Sequence, residues 1–386
     1  MIFKQIYRCM KNYGSRRLTF KQTVCIVPMR FKFGTMTYEG ERHQQKMRLS
    51  DVAKAAGVSE GTVSLALNDK PGVSPVTRQR VLDAVKRLGY IPNLYAQRLA
   101  TRCTNTIGLV VTDIDNPFFS SLTNRIHDYA REAGYGLMLA LSKNRIELED
   151  EVINNFISNR LDGVIVIPAV DDRDSFSVFE SLQEHKIPFV FCASYYPAFP
   201  WQCVMTDLEQ GSYLITKYLI DLGHRDIRFI SSTDVDAIPF IERNRGFLRA
   251  YKDAGLVPPR NPVIRCKATD FASGYNGTKK LLSEARPTAI MSINDVLALG
   301  AYKAIRELGM NVPSDISLVG YDDVIFSSLG DVPLTTVRQD TEEIAHESVH
   351  LLTEQIRTHS FSKTIVRLRP EIIVRASTGP RERARE

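Results

Sequence analysis

Nowhere does this 386-residue chain string together the roughly 20 apolar residues that a membrane-crossing helix requires. A helical membrane protein is thereby excluded. The short apolar run VCIVP, residues 24–28, is too brief for a secretory signal, and no convincing small-residue cleavage site follows it. Cysteine is sparse and scattered: Cys9, Cys25, Cys103, Cys192, Cys203 and Cys266 form no CxxC pair and have no histidine cluster beside them. Neither a disulfide framework nor a metal site is expected, and isolated thiols fit a reducing cytoplasm. Phosphate-cradling and catalytic motifs are missing as well. There is no GxGxxG after a strand, no GxxxxGK[ST], no GxSxG elbow and no close His-Cys-Asp set. GYNGTK at 274–279 imitates a phosphate loop with the wrong spacing. An enzyme is not indicated, and no cofactor is expected.

What the chain does have is positive charge concentrated at one end. Residues 1–46 carry a net charge of +8, residues 47–104 a net +5, and the remaining 282 residues a net −7. A basic amino-terminal portion on an acidic body points to nucleic acid at one end and a different partner at the other. The length calls for two or three domains. Residues 1–46 show no sustained periodicity and read as a disordered extension, or as sequence upstream of a natural start at Met47. A basic arm adding phosphate contacts is the functional alternative.

RLSDVAKAAGVSEGTVSLALN, residues 48–68, reads as two short helices about a tight turn. Ser50 suits the N-cap of the first, where its hydroxyl accepts from an orphan backbone N–H. Asp51 favours the positive end of the helix dipole. Val52, Ala53 and Ala56 make a small apolar face at spacings of three and four. Gly57 breaks the helix, Val58 fills the corner, and Ser59 caps a second helix carrying Thr62, Val63, Ala66 and Leu67. Small residues at the crossing meet the requirement of a helix-turn-helix, though an ordinary helical hairpin satisfies the same pattern. After the loop Lys70-Pro71-Gly72, Ser74 caps a third helix with Pro75 in its first position, where the missing N–H removes no bond. Val81, Leu82, Val85 and Leu88 are its expected apolar stripe and Gly89 its end. Pro92-Asn93 then interrupts the pattern, and residues 94–100 allow barely two helical turns, marginal alone. This segment is expected either as a plain linker or as a helix that forms only against DNA and a second copy.

From Asn105 the pattern alternates. Strand-like TIGLVV, GLMLAL, GVIVIP, FVFCA, CVMTD, DIRFIS, PVIRC, AIMSI and ISLVGY are separated by helical stretches such as FSSLTNRIHDYAREAG, LEDEVINNFISNRL and DVLALGAYKAIRELG. Near-continuous apolar strands alternating with helices imply parallel sheets covered on both faces. Nine strands are many for one such sheet. Two doubly wound lobes of about 130 residues each, with a ligand cleft at the carboxyl ends of their strands, fit better.

The series DVAKAAGVSEGTVSLALN, GVSPVTRQRVLDAVKRLGYIPN, LAT, TIGLVVTDIDNPFF, RLDGVIVIP, YLIDLGH, RNRGF, NDVLALGAYKAI and DISLVGYDD resembles the LacI/GalR family of bacterial transcriptional regulators. The resemblance runs in order over about residues 47–378. It implies an all-α helix-turn-helix domain (47–92), a hinge helix or linker (93–104) and a two-lobed doubly wound parallel-sheet body like periplasmic binding proteins (105–378), with a tail at 379–386. It also implies a cytoplasmic repressor, a homodimer or tetramer on a near-palindromic double-stranded DNA operator. A small-molecule effector, a sugar or sugar derivative, would control it allosterically from the cleft. Two alternatives stand beside it: a periplasmic-type binding protein without DNA regulation, against which residues 1–104 argue, and a regulator answering to a purine or nucleoside.

Site residues follow from the same resemblance. Glu60, Gly61 and Leu65 take the base-reading positions, with Ser50, Ser59, Thr62, Ser64 and Asn68 in the DNA-facing set around them. Glu60 can accept from cytosine N4 and Leu65 can touch only a thymine methyl. Thr62, Ser64 and Asn68 suit phosphate contacts, which position without specifying sequence. Asn93, Ala96 and Leu99 fall in the family's hinge helix, and Leu99 takes the place of a leucine wedged into a minor-groove base step. In the effector cleft the resemblance puts Asp115, Phe118 and Phe119 after the first strand, Arg243 as a clamp, Phe271 as a stacking aromatic, Asn294 and Asp322 at strand tips, and Gln339 after the LTTVR crossover. Each has a plainer reading too: helix-start core for the phenylalanines, a helix or turn cap for Asn294 and Asp322. One departure stands out. Sugar-binding relatives carry an acid followed by arginine after the strand PFVFC, and here those places hold Ala193-Ser194, followed by Tyr195-Tyr196.

Overall fold

A computed structural model describes residues 47–90, 103–170, 173–232, 237–360 and 363–381. The basic extension, the hinge residues Asn93, Ala96 and Leu99, and the end of the tail lie outside the described residues. The chain divides into two compact units, residues 1–93 and 94–386.

In the first unit three helices, α1 (Leu49–Ala56), α2 (Glu60–Leu67) and α3 (Pro75–Leu88), pack mutually. Among the described residues, Val52, Ala53, Ala56, Val63, Ala66, Val81 and Ala84 form its buried core. So small a centre needs close helix approach, and the left-handed turn at Gly57, φ 63°, supplies it. Two expectations are corrected here. The N-cap of α1 is Arg48, not Ser50; Asp51 reaches back to accept from the Arg48 N–H at 2.9 Å, which closes the turn without a serine. On α3, Leu82 is 42% exposed and Ala84 is buried, because Val81, Ala84, Val85 and Leu88 keep the i, i+3, i+4, i+7 face and Leu82 falls outside it.

The second unit is built on two parallel sheets, with a two-stranded antiparallel ribbon beside them. In lobe 1, β1 (Thr106–Val111), β2 (Gly136–Leu141), β3 (Gly163–Val166), β4 (Phe189–Cys192), β5 (Cys203–Thr206) and β11 (Ile365–Leu368) pair in parallel in the order β11-β5-β4-β3-β1-β2. Alternation along β1 sends Ile107, Leu109 and Val111 to one face and Val110 to the other. The first face is covered by α4 (Pro117–Glu132) and α11 (Thr341–Thr358), the second by α5 (Ile146–Ser158) and α6 (Ser177–Glu184). Edge strand β2 departs from the expectation of two covered faces: Met138, Leu139 and Leu141 are each more than a third exposed.

Lobe 2 carries the parallel sheet β7-β6-β8-β9, with β6 (Ile227–Ser232), β7 (Val263–Cys266), β8 (Ala289–Ser292) and β9 (Ser317–Val319). Two tightly packed helix pairs flank it: α7 (Leu208–Asp221) with α8 (Ile238–Asp253), and α9 (Phe271–Glu284) with α10 (Asp295–Glu307). Gly274 and Gly300 permit the second pairing, since a Cβ on either would collide with the facing helix backbone. An antiparallel ribbon of β10 (Thr336–Arg338) and β12 (Glu371–Ile373) completes the lobe.

The lobes are not consecutive halves of the chain. It crosses between them three times, after β5, after β10 and after β11, so lobe 1 recovers α11 and β11 from the far end of the sequence. The strand tips of both sheets thereby face one crevice.

Candidate functional site

The first candidate surface is the outward side of α2. Val63 and Ala66 are spent on the core, which leaves Glu60, Gly61 and Ser64 exposed and Leu65 half-buried. Ser59 caps this helix as expected: its Oγ accepts from the Thr62 N–H at 3.1 Å and lies 2.9 Å from the Thr62 hydroxyl. At the other end the Asn68 amide donates to the Ser64 carbonyl at 2.8 Å. Thr62 and Asn68 therefore help to terminate the helix they stand on. Ser50 lies in the first turn of α1 and is half-buried.

The second is a cleft of about 810 Å³ between the lobes. All eight residues proposed for it, Asp115, Phe118, Phe119, Arg243, Phe271, Asn294, Asp322 and Gln339, line it. They do not contribute alike. Phe118 is almost wholly buried in the lobe 1 core and meets Phe119 edge-on, with ring centroids 5.3 Å apart. Asn294 shows the plainer role as well: Oδ1 accepts from the Leu297 N–H at 2.8 Å to cap α10, and Nδ2 donates to the Thr269 carbonyl at 3.0 Å. Phe271 opens α9 and is 42% exposed, so its ring is available to a ligand. Asp115 is exposed at the rim, its N–H donating to the Asp113 carboxylate at 2.8 Å.

Arg243, Asp322 and Gln339 form a buried polar group on the lobe 2 side. Arg243 lies over the Tyr321 ring, 4.0 Å from its centroid, donates to the Pro239 carbonyl at 3.1 Å, and has Nη2 3.6 Å from Asp322 Oδ1. Gln339 Nε2 donates to that same Oδ1 at 2.7 Å. Burial pushes the Asp322 carboxyl up to about 6, against the pull of Arg243 and of the Gln339 hydrogen bond toward the ionised form. Behind it Asp295 is also held well above the ordinary carboxylate range, by burial and by the charge of Asp322. Arg243 Nε and Gln339 Oε1 are buried without a hydrogen-bond partner among the described residues. One unused donor and one unused acceptor thus flank a carboxyl group. Such orphans cost about 1–3 kcal/mol each, and a ligand that satisfies them recovers that energy.

Lobe 1 answers with a different surface. Its buried lining is largely apolar (Phe118, Ile167, Pro168, Ala193), with the hydroxyls of Thr112 and Ser194 among it. Its charged lining residues Asp113, Asp115 and Lys143 are exposed. Among the described residues that line the cleft from lobe 1, no buried charge stands in for the acid–arginine pair missing at Ala193-Ser194. Thr112, Lys143, Asn144 and Lys267 were not anticipated, yet each stands one to three residues beyond the end of β1, β2 or β7, where the strand-tip rule already points. Among the described residues no cluster of three or more His, Cys, Asp or Glu side chains could hold a metal ion.

Residues 48–93 match the profile described as bacterial regulatory proteins, lacI family, and residues 216–378 that of a periplasmic binding protein-like domain. The HTH-type transcriptional regulator DegA of Bacillus subtilis (strain 168) is 34% identical over 337 residues, 87% of this chain and 99% of that protein. The HTH-type transcriptional repressor PurR of Pasteurella multocida (strain Pm70) is 33% identical, covering 86% of this chain and 99% of its own. Among solved structures, the lac repressor dimer bound to operator and the anti-inducer ONPF aligns with a TM-score of 0.79 at 29% identity, over 87% of this chain and all of the other. A transcriptional regulator CelR–cellobiose complex aligns at 0.64 with 30% identity, over 86% and 99% of the two chains.

Proposed function

We propose, from the premise that this chain belongs to the LacI family of bacterial transcriptional regulators, that it is a cytoplasmic, dimeric repressor whose hold on a near-palindromic operator is set by a hydroxyl-rich small molecule. DNA-binding regulation with an effector-binding domain comes with the family; the ligand class and the residue roles are the proposal. In it the exposed side of α2 enters the major groove with Glu60, Gly61 and Leu65 toward base edges. Asn93, Ala96 and Leu99, outside the described residues, take the minor-groove contacts in this proposal.

The observation that carries the ligand class is the buried group Arg243–Asp322–Gln339 with its unused donor and acceptor. A hydroxyl donates and accepts at one atom, so neighbouring hydroxyls match a carboxylate, a guanidinium N–H and an amide oxygen together. Phe271 and the lobe 1 wall suit the apolar face of a sugar ring. A purine is the second reading: the exposed Phe271 ring can stack on a base, and the PurR relative makes the class worth testing.

A thermal-shift screen of sugars, nucleobases, nucleosides and small acids against the full chain tests the assignment. Ligand at about 100 times its Kd adds roughly 2.7 kcal/mol of stability. The expected hit is a sugar or polyol whose effect vanishes in Arg243→Ala and Asp322→Ala. A hit that both variants retain places the ligand elsewhere. By linkage, the ligand and the operator must alter each other's affinity by the same factor.

A further inference from the structure

Two arginines stand two residues apart on α3, and each is committed to a different helix of the DNA-binding unit. Side chains so spaced point about 200° apart around a helix axis. Since α3 packs against both α1 and α2, one can reach each neighbour. Arg80 Nη2 donates to the Ala56 carbonyl at the C-terminal end of α1. Arg78 does more. Its Nη1 donates to the Ala66 carbonyl at 3.1 Å, its Nη2 donates to the Lys70 carbonyl at 2.8 Å, and Nη1 lies 2.5 Å from the Asp69 carboxylate. The Arg78 side chain is only 23% exposed.

The need for such a fork follows from α2 itself. It has eight residues, too few to be stable alone. Its last carbonyls have no partner within the helix. Asn68 and Lys70 N–H groups satisfy Ser64 and Leu65, and Arg78 takes Ala66 while placing a cation at the negative end of the dipole. With Ser59 fixing the first turn, both ends of α2 are then held.

We infer that Arg78 is a positioning residue for sequence reading: it holds the C-terminal end of α2 at the angle that brings Glu60, Gly61 and Leu65 to base edges, and it is not a phosphate ligand. This rests on the reading of α2 as the base-contacting helix. The two roles open to an arginine here differ measurably. A phosphate contact is sequence-independent, survives replacement by lysine, and contributes about one to the slope of log affinity against log salt. A planar fork across two carbonyls and a carboxylate has no lysine equivalent.

The experiment uses the full chain, a duplex selected by it from random sequence, and a scrambled duplex of equal length. Affinities of the native chain, Arg78→Lys, Arg78→Met and Leu65→Ala are measured between about 50 and 200 mM salt. Both Arg78 variants are expected to lose about tenfold or more on the selected duplex, and no more than about twofold on the scrambled one. Their salt slopes should stay native, and repeated selection should return the same preferred sequence. The inference is overturned if Arg78→Lys stays within about twofold of the native chain on both duplexes, or if Arg78→Met lowers the slope by about one. Should Arg78→Met lose its helical structure, Arg78→Lys decides alone. Leu65→Ala separates the premise from the inference: if it leaves the preferred sequence unchanged at every position, the base-reading role of α2 fails, whatever Arg78 does.

Discussion

Replacing Asp322 by asparagine should remove a pH dependence of stability that the native carboxyl imposes on the two-lobed unit. The group titrates at an ordinary 3.8 when unfolded and near 6 when folded, chiefly because it is buried. Between those values the folded protein binds more protons than the unfolded one. Its stability must therefore fall as pH rises through the window. The contribution of the protonated carboxyl is fully present below the unfolded value and lost above the folded one. A displacement of about two units corresponds to about 3 kcal/mol, of which about 2 kcal/mol lies between about pH 4.5 and 7.5. Asp295 is raised as well, partly by Asp322, and its titration acts in the same direction.

The measurement is thermal or urea unfolding of the native chain and Asp322→Asn across that range, plotted as a difference so that titrations common to both cancel; Asp295, which loses the charge of Asp322 in the variant, adds to the difference in the same direction. The native chain should lose about 2 kcal/mol relative to the variant on going from the acid to the neutral end. For a unit of this size that is about 4–8 °C in Tm. The asparagine also deprives Arg243 of its ion pair, but this shifts the whole curve without changing its slope. A flat difference, or a native chain that gains relative stability with rising pH, refutes the buried-carboxylate reasoning. A ligand whose hydroxyls donate to Asp322 favours the ionised form, so saturation with it should flatten the native curve.

Two further outcomes concern the DNA-binding unit. Ser59→Ala should cost about 1 kcal/mol by removing the α2 cap, and amide exchange at Thr62, whose N–H loses its acceptor, should accelerate more than at the buried Val81. Leu82→Gln should leave thermal stability within about 0.5 kcal/mol of native, whereas Val81→Ala should cost about 2 kcal/mol through lost burial and a small cavity; equal effects would contradict the observed face of α3.

Where a single local rule decides an element, the sequence was legible. Ser59 and Ser74 as caps, Pro75 at a helix start, and Gly57 and Gly89 as left-handed ends all stand where backbone chemistry put them. The β-branched and aliphatic runs of β1, β3 and β6 announced buried parallel strands for the same reason. What escaped was decided by distant partners. IVRL at β11 is a strand because β5 offers an open edge more than 150 residues earlier, and α11 belongs to lobe 1 because its Ile344, Val349 and Leu352 meet that sheet. Leu82 misled because a leucine next to a valine looks apolar in one dimension, while the helix turns it about 100° away. In the cleft, strand-tip reasoning found the lining residues, but not the Tyr321 ring beneath Arg243, since Tyr321 is fully buried and read as strand core.

The asymmetry of the cleft bears on how a ligand could act at a distance. Its buried charged pair belongs to lobe 2, but Gln339, which completes the group, lies in the second of the three chain crossings. The next residue, Asp340, caps α11 on lobe 1 by accepting from the Glu342 and Glu343 N–H groups at 3.0 and 3.1 Å. A ligand shifts a conformational equilibrium only through contacts that differ between the states. Hydroxyls that compete with Gln339 for Asp322 Oδ1 change a contact made by the connecting segment itself. The apolar surface of lobe 1 can then gain burial against the same ligand without a directed bond of its own. If a ligand of the proposed class binds there, polar grip on one lobe, apolar cover on the other and a connecting residue shared by both would let its occupancy bias the angle between the lobes.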